Sequence, residues 1–370
     1  NPDTSDLRPQ TSDFRTPVIS DQQSAISSAG AFNPLDCPNW DEQIAHFPQT
    51  TFFHTSAWLK VLHDTYKYEP LAVSLSEGNK PCALLPLMEI DSWLTGRRGI
   101  SLPFTDYCPP LLLDENDLPK LLDQAYALGA KRNWRSLETR SPAGLEENGI
   151  PSLLHYTHRL SLEQDTDRLF SQCSSSTRRA TRKAETAGLS IDQAPSLENL
   201  KSFYELLCLT RKRHGLPPQP WKFFRAIHDR ILSQGLGSLF LATHKSTPIA
   251  GALFLHYNQN AIYKFGASDE SFQAKRPNNF VMWSAIKSFA QNGCQELDFG
   301  RTSLDNSGLR RFKLGWGAAE QTLPYIHRNI QTRTIEIQSD QTQGWHNQIF
   351  KILPTPLSRL AGQLLYKHVA

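Results

Sequence analysis

The spacing of apolar residues predicts that the first half of the chain alternates between amphipathic helices and strands. Residues 56–66 carry apolar side chains three and four positions apart, which is typical of a helix with one buried face. Two apolar runs, 71–75 and 82–87, flank a Gly-Asn turn and indicate a β-hairpin. The pattern continues with a helix over 117–128 and a short strand over 136–139.

The second half repeats this order of elements. Helices and strands are predicted there over 165–172, 177–187, 197–213, 222–234, 239–244, 249–258, 261–266, 279–292 and 296–299. Each half therefore has a helix, a hairpin, a strand, a helix and a strand. We predict an α/β (mixed α+β) fold, made of two related units over 34–160 and 161–335, each with a mixed, mostly antiparallel sheet flanked by helices. The relation lies in the order of the elements alone, because no residues recur at a fixed period.

The two ends of the chain differ from this pattern. Residues 1–33 are rich in Ser, Thr, Asp, Gln and Pro, which predicts a disordered arm, with order beginning near residue 39. Residues 336–370 combine a polar linker with an amphipathic helix from Pro356. Its apolar stripe consists of Leu357, Leu360, Ala361, Leu364, Leu365 and Val369. We predict that this helix docks on the core or on a partner, with peripheral membrane contact as the alternative.

Composition excludes several classes of protein. The chain has 370 residues, a formal net charge of +3 and 39% hydrophobic residues, which excludes collagen-like and wholly disordered chains. It contains no apolar run long enough to span a membrane. Its six cysteines include no CxxC pair, which argues against a zinc ribbon or a disulfide framework. We therefore expect no metal site and a cytoplasmic location, at most at the inner face of the membrane.

Positive charge is concentrated in residues 168–230, which contain twelve basic and five acidic residues. Arg178 and Arg182 lie one helical turn apart on the predicted basic helix, next to Arg179. The planar guanidinium group favours paired contacts with phosphate. We predict that these three arginines hold the phosphates of a donor substrate, and the alternative is a solvated helix face.

A second candidate follows the strand that ends in Asp298-Phe299-Gly300. The segment 309–317 places Lys313 between two apolar residues and ahead of Gly315-Trp316-Gly317. A lysine in a water-poor site can stabilise a developing oxyanion. The alternative is a lysine that passes a core hairpin on its way to solvent. The sequence has no P-loop, GxSxG, HExxH or dinucleotide-binding motif, and no kinase signature accompanies Asp298-Phe299-Gly300.

Three stretches carry a family resemblance: 53–58 (FHTSAW), 101–107 (SLPFTDY) and 263–317, which includes KFGASD, DFG and FKLGWG. Together they resemble the FemAB-like transferases of the GNAT acyltransferase superfamily. They are most similar to the FemAB-related proteins associated with exosortase and exopolysaccharide genes. The resemblance covers about 40–330.

The resemblance implies two tandem GNAT-like units that form one catalytic body, with substrate in a channel between them. Family members move an aminoacyl or acyl group from aminoacyl-tRNA or acyl-CoA to an amine, for example on a peptidoglycan precursor. Phe312 and Lys313 match a pair near the acyl donor, and Asp106 and Tyr107 match an acceptor-side loop. Tyr263 and Trp316, from the third stretch, are further candidates for substrate binding.

The sequence departs from the family at the expected pyrophosphate loop. The usual R/Q-x-x-G-x-G/A motif is absent, and the helix opens instead with Arg276-Pro277 followed by Asn278 and Asn279. A helix N-terminus still offers N–H groups to an anion, so both asparagines stay candidates for donor binding. The coiled-coil arm that some tRNA-using relatives carry is also absent.

These observations lead to one hypothesis and two alternatives. The hypothesis is acyl or aminoacyl transfer to an amine of a cell-envelope or exopolysaccharide precursor, with Lys313 stabilising the oxyanion and Asp106 or Asp298 as base. No tightly bound cofactor is expected, because the acyl donor is a substrate. The alternatives are an acyl-CoA-dependent N- or O-acyltransferase on a polysaccharide, and a non-catalytic protein that binds a glycan or a partner.

Overall fold

The computed structural model describes residues 31–78, 80–141, 150–338 and 345–368. Residues 1–30 of the predicted arm lie outside the described residues. Its last residues form a strand, β1 (Ala31–Phe32), which pairs with residues 72 and 73. Ordered structure therefore includes residues 31–38, because this short strand extends the edge of the sheet. The predicted polar linker lies mostly outside the described residues.

The first half contains three helices and seven strands within its described residues. They are α1 (Trp40–Ile44), α2 (Ser56–Tyr66), α3 (Leu118–Lys131), β1, β2 (Glu69–Glu77), β3 (Lys80–Ser92), β4 (Gly96–Ile100), β5 (Leu111–Leu112), β6 (Ser136–Arg140) and β7 (Leu153–Ser161). Helix α2 has the predicted bounds, and its N-cap is Thr55, whose side chain accepts a hydrogen bond from the Trp58 amide.

The second half adds eight helices and seven strands among the residues described there. They are α4 (Thr166–Gln172), α5 (Ser175–Glu185), β8 (Leu189–Asp192), α6 (Leu197–Arg213), α7 (Trp221–Arg230), β9 (Gly237–His244), β10 (Thr247–Tyr257), β11 (Asn260–Ser268), α8 (Pro277–Gln291), β12 (Glu296–Asp298), β13 (Thr302–Ser303), α9 (Ser307–Leu314), β14 (Ala319–Asn329), α10 (Trp345–Ile352) and α11 (Thr355–Leu365).

The described strands form one mixed, mostly antiparallel sheet. Its order is β1-β2-β3-β4-β6-β14-β7-β12-β11-β10-β9-β8, with β5 beside β3 and β13 beside β7. The parallel pairs are β4 with β6 and β11 with β12. Each of these pairs is joined by a crossover helix, α3 in the first half and α8 in the second. This repetition confirms the predicted fold class.

Strand β14 joins the two halves. It pairs antiparallel with β6 on one side and with β7 on the other. The predicted unit boundary at residue 160 falls within β7, which also pairs with β12. The backbone hydrogen bonds of the sheet therefore continue from one unit into the other.

The largest apolar core also spans both halves. Helices α2, α6 and α7 pack together on one face of the sheet, and their aromatic side chains include Trp58, Phe203, Phe223 and Phe224, all fully buried. Aromatic side chains bury large areas and lose little conformational freedom when packed. This shared core fixes the position of one unit against the other, and with it the residues at their junction.

The C-terminal helix packs against the body of the protein. Its buried residues are Ser358 and Gly362, and an ideal Cβ on Gly362 would lie 2.0 Å from the carbonyl oxygen of Pro218. The small residues allow this close approach. The helix thus packs on the core through its small residues, whereas Leu357, Leu360 and Leu364 of the predicted apolar stripe are exposed. No helix in the described part of the chain is long and apolar enough to cross a membrane.

Candidate active site

The loop that follows β4 carries Asp106, and two other residues of this loop have an unusual backbone conformation. Leu102 and Phe104 both have φ values of 59°, in the left-handed region that bulky side chains rarely adopt. Arg140 of β6 stabilises this conformation, because its guanidinium donates to the carbonyl oxygens of Leu102 and Thr105 at 3.4 and 3.2 Å. Such strain persists where surrounding contacts impose it, and it is concentrated at functional sites.

Lys264 reaches Asp106 from the second unit. In the β10–β11 pairing Leu253 faces Phe265 and Phe254 faces Tyr263, so Lys264 is the extra residue of a β-bulge. A bulge re-aims the side chain that it carries. The Lys264 Nζ lies 2.7 Å from Asp106 Oδ2, and it sits 5.1 and 5.8 Å from the ring centroids of Phe53 and Trp58. The aromatic rings exclude water from this ion pair.

Lys313 projects from α9 into the same region, so it lies on a helix and not in the core hairpin of the alternative interpretation. It is 2% exposed, and its Nζ donates to the carbonyl oxygens of Gly300 and Arg301 at 2.8 and 2.9 Å. Burial lowers the pKa of Lys313 to about 8, in spite of the nearby charges of Asp106 and Asp298. The lysine is therefore a buried cation that titrates close to neutral pH.

Asp298 ends β12 and lies between this cluster and solvent. Its Oδ1 accepts hydrogen bonds from the Gly300 amide at 2.6 Å and from Thr157 Oγ1 at 3.3 Å. Arg159 Nε is 3.5 Å from Oδ2, and the Tyr107 hydroxyl also faces this carboxylate. Burial raises the pKa of Asp298 although Arg159 opposes the shift. A carboxylate with a raised pKa is better suited to accept a proton.

The pKa of Asp106 is shifted in the opposite direction from that of Asp298. Burial alone would raise the pKa of its carboxyl group, but the charges of Lys264, Arg301 and Lys313 outweigh burial and lower it. The Arg301 amide also donates to Asp106 Oδ1 at 3.2 Å. Asp106 therefore stays ionised and holds the cations together. As a base it is the weaker of the two predicted carboxylates.

An open cleft of about 620 Å³ lies beside the cluster, between the two units. The first unit contributes residues 48–52 and the second contributes Tyr257, Asn260 and Glu296. Tyr107 and Asp298 line it as well, so the cleft leads from solvent to the raised-pKa carboxylate. Clefts of this size at the junction of two units commonly bind small molecules.

Comparison with known proteins identifies the fold around this site. Residues 171–320 match the family described as "Acetyltransferase (GNAT) domain". The crystal structure of FemX superposes with a TM-score of 0.59 at 15% identity, covering 76% of this chain and 94% of FemX. The second half of the chain is therefore similar to GNAT domains, and the chain has a FemX-like fold. No protein with a curated description matches the sequence.

Two other solved structures share the tandem GNAT fold. A tandem GNAT protein from the clavulanic acid biosynthesis pathway has a TM-score of 0.52 at 11% identity, covering 82% of this chain and 98% of its own. L-PGS from Bacillus licheniformis has a TM-score of 0.50 at 11% identity, covering 87% of this chain and 96% of its own.

The aromatic candidates lie at different depths. Phe312 is half-buried on α9, and its ring meets Trp316 edge to face at 6.0 Å. Trp316 is buried in the core of the second unit and stacks on Trp283 at 6.4 Å, which is a packing position. Tyr263 is half-buried against Phe254, and burial raises the pKa of its hydroxyl to about 12.

The donor-side candidates lie on α5 and at the start of α8. Arg178 donates to the carbonyl oxygens of Ser171 and Cys173, which holds the turn between α4 and α5. Arg179 and Arg182 are exposed. Asn278 is exposed and donates to Ser268 Oγ at 3.2 Å, and Asn279 is half-buried.

The α5 segment lies close to the end of α9. The Ser174 amide, just before α5, donates to the Gly315 carbonyl oxygen at 2.8 Å. An ideal Cβ on Gly315 would lie 2.4 Å from Thr177 Oγ1 of α5. Helix α5, which carries the exposed arginines, therefore packs beside the end of α9, the helix that carries Lys313.

The sequence did not single out Lys264 or Arg301 as site residues. Lys264 interrupts an otherwise apolar strand, and a charge in such a run was the available signal. The side chain of Arg301 is positioned by Tyr325 of β14. The Tyr325 hydroxyl accepts from Arg301 Nη1 at 3.3 Å and donates to the Asp106 carbonyl oxygen. This pairing depends on the tertiary position of β14, which starts after Arg301 and the whole of α9.

Gly300 contacts two members of the cluster, because its amide donates to Asp298 and its carbonyl oxygen accepts from Lys313. We expect Gly300→Ala to reduce both stability and activity. Its φ is +67°, and an added Cβ would lie 2.9 Å from Asp106 Oδ1. A left-handed alanine costs about 1–2 kcal/mol, and the clash would move Asp106 away from Lys264. Thermal melts and initial rates check this expectation. The control is Gly308→Ala on α9, where nothing but Asn306 Oδ1, at 3.9 Å, lies within 4 Å of the added carbon. Equal behaviour of the two variants would refute it.

Proposed function

We propose that the protein transfers an acyl or aminoacyl group from a phosphate-containing donor to an amine of a cell-envelope or exopolysaccharide precursor. One observation carries this proposal: the raised-pKa carboxylate of Asp298 lines a cleft between the two units and interacts electrostatically with the buried Lys313 behind it. Acyl transfer to an amine needs a base for the amine and a cation for the oxyanion. Asp298 and Lys313 are suited to these two tasks.

In the proposed reaction the acceptor amine enters through the cleft as an ammonium ion. Asp298 accepts one proton, and the amine nitrogen attacks the donor carbonyl carbon. An ammonium group has three N–H bonds, and Lys313 directs two of them to backbone carbonyls. The third can donate to the oxyanion. When the intermediate collapses, the bond from carbon to the donor oxygen or sulfur breaks, the attacking nitrogen loses its second proton to give the amide, and that proton goes to the leaving group.

The donor would approach from the side of α5 and α9, opposite the cleft. Arg179 and Arg182 are exposed and would meet its phosphates there, Arg182 from a position over the Phe170 ring, whereas Arg178 has a structural role. At the start of α8 the Arg276 carbonyl already accepts from the amides of Asn279 and Phe280 at 3.1 and 3.2 Å. Few N–H groups remain there for a pyrophosphate, which favours aminoacyl-tRNA over acyl-CoA.

Acyl-CoA-dependent transfer is the second candidate function. One observation favours it: the tandem GNAT protein of the clavulanic acid pathway, whose structure is described as "without AcCoA", has the same fold over 82% of this chain. A non-catalytic protein that binds a glycan would need neither the buried lysine nor the raised-pKa carboxylate.

Donor binding tests the proposal. A ligand present at 100 times its Kd stabilises the folded state by about 2.7 kcal/mol, so thermal shift detects it. Coenzyme A, a short series of acyl-CoAs, aminoacyl-tRNA and uncharged tRNA are compared at fixed salt. We expect a shift with aminoacyl-tRNA that the double variant Arg179→Ala, Arg182→Ala loses and Lys287→Ala on α8 keeps. A shift with acyl-CoA alone would support the second candidate, and none with any donor would support the binding protein.

Once a donor is known, the rate should have a bell-shaped dependence on pH. The acid limb reports Asp298, which must be ionised to take the proton, at a pKa above that of an ordinary aspartate. The basic limb is expected near pH 8, because Lys313 loses its charge above its pKa of about 8. Lys313→Arg should move the basic limb upward, since arginine stays protonated. If the basic limb does not move in this variant, that limb reports a group other than Lys313.

A further inference from the structure

An apolar surface lies away from the cleft, where the turn between β3 and β4 meets the C-terminal helix. Trp93 at the tip of this turn is 85% exposed, and its neighbour Leu94 is 51% exposed. The outward stripe of α11 contributes Leu357, Leu360 and Leu364, which are 51, 53 and 62% exposed. Ile352 at the end of α10 is 82% exposed. Exposed apolar residues concentrated in one region mark an interaction site.

His368 ties the turn to the helix. Its ring lies 5.6 Å from the ring of Trp93, and its Nδ1 is 2.9 Å from Ser92 Oγ. Its carbonyl oxygen accepts from Thr95 Oγ1 at 3.0 Å and from the Arg98 guanidinium at 3.1 Å. The exposed tryptophan is thus held next to the end of α11, the helix that carries the leucine stripe, and we call these exposed residues the apolar surface.

The C-terminal part of the apolar surface carries charges of one sign, and Asp91, two residues before Trp93, is paired with Arg97 at 2.6 Å. Residues 345–368 contain Lys351, Arg359 and Lys367 and no aspartate or glutamate. Lys367 is adjacent to His368 in sequence. Protein–protein interfaces are depleted in lysine. Leucine and tryptophan with flanking lysine and arginine are the composition of helices that lie in the headgroup region of an anionic bilayer.

We propose that the apolar surface docks this protein on the surface of an anionic lipid bilayer. Trp93 and Leu94 insert at the headgroup level, where amphipathic indole rings are favoured. The leucine stripe of α11 enters the same bilayer, and the exposed Lys351 and Lys367 contact lipid phosphates, whereas Arg359 packs on Tyr204 and Cys208. Burying Ser358 and Gly362 against the body of the protein is what turns the leucines outward. The proposal does not depend on the proposed function.

Vesicle sedimentation of the full chain tests this inference. We expect binding to vesicles of phosphatidylcholine with phosphatidylglycerol, weaker binding to phosphatidylcholine alone, and a decrease at high salt. Leu360→Glu with Leu364→Glu should weaken binding about tenfold or more, because two apolar side chains no longer enter the bilayer. Trp93→Ala should weaken it as well, from a separate part of the fold. The control is Leu113→Glu, which alters a leucine that is 60% exposed beside β5.

Light scattering on the same protein preparations tests the other possible occupant of the apolar surface, a second copy of this chain. If the wild type does not bind anionic vesicles, or if Leu113→Glu weakens binding as much as the α11 variant, the proposal is wrong. If instead the wild type is a dimer that the α11 variant converts to a monomer, without vesicle binding, the surface is an interface between two copies. Unchanged melting temperatures confirm that each variant is folded.

Discussion

Lys313→Met is expected to reduce turnover by about 10²–10³-fold while the protein stays folded. This loss is typical when one donor to an oxyanion is removed. The pKa of Lys313 falls from 10.5 to about 8 on folding, so burial disfavours its charged form by about 3 kcal/mol at pH values below about 8. Methionine removes this penalty. It also leaves the carbonyls of Gly300 and Arg301 without a donor, at about 1–3 kcal/mol each.

The two effects on stability are of similar size and opposite sign, so the melting temperature should change little. Single-turnover rates and thermal melts at neutral pH measure both quantities in the same preparation. The control is Lys287→Met on α8, a lysine that is partly exposed and pairs with Glu185 at 3.8 Å. If Lys313→Met retains activity within about threefold of the wild type, the lysine has no part in the chemistry.

Asp106→Asn is expected to destabilise the fold by about 3–5 kcal/mol. Removing one partner of a buried ion pair leaves the other as an uncompensated charge, and that is costly. Lys264 would remain near Phe53 and Trp58, with its side chain 8% exposed and no carboxylate at 2.7 Å. Arg301 and Lys313 would lose the same counter-charge. The variant should therefore lose activity along with stability.

A double-mutant cycle distinguishes the ion pair from a packing defect. Urea denaturation is measured for Asp106→Asn, for Lys264→Met and for the double variant. The double variant should be more stable than the sum of the single effects predicts, because it leaves neither charge alone. Additive losses would contradict the pairing. Arg97 and Asp91 form a control pair at 2.6 Å on the surface, where the same cycle should give less than about 1 kcal/mol.

The sequence predicted the fold better than it predicted the site. Helices such as α2 and α6 were predicted with their observed bounds, because apolar periodicity and capping residues act locally. The two crossover units followed from the repeated order of those local elements. The pairing of β14 with β6 and β7 could not be read from any segment alone, since each strand has many possible partners.

At the site, Asp106, Asp298 and Lys313 were candidates because a motif or an apolar context marked each one. Lys264 was missed because its direction depends on a bulge, and the bulge depends on the register between β10 and β11. The face of α11 that packs on the body was left open for a similar reason. Apolar periodicity indicates an amphipathic helix, but the close approach of Gly362 to Pro218 decides which face is buried.

The position of β14 also constrains how the protein can be made. Ribosomes deliver the chain from the N-terminus, and β6 and β7 emerge long before residues 319–329. Until then the nascent protein carries two unsatisfied strand edges at the centre of its future sheet, each open to pairing with other chains. A truncation before residue 319 would make that state permanent. Expression of either half alone should therefore yield aggregates, whereas the two halves supplied together could assemble by sharing this last strand.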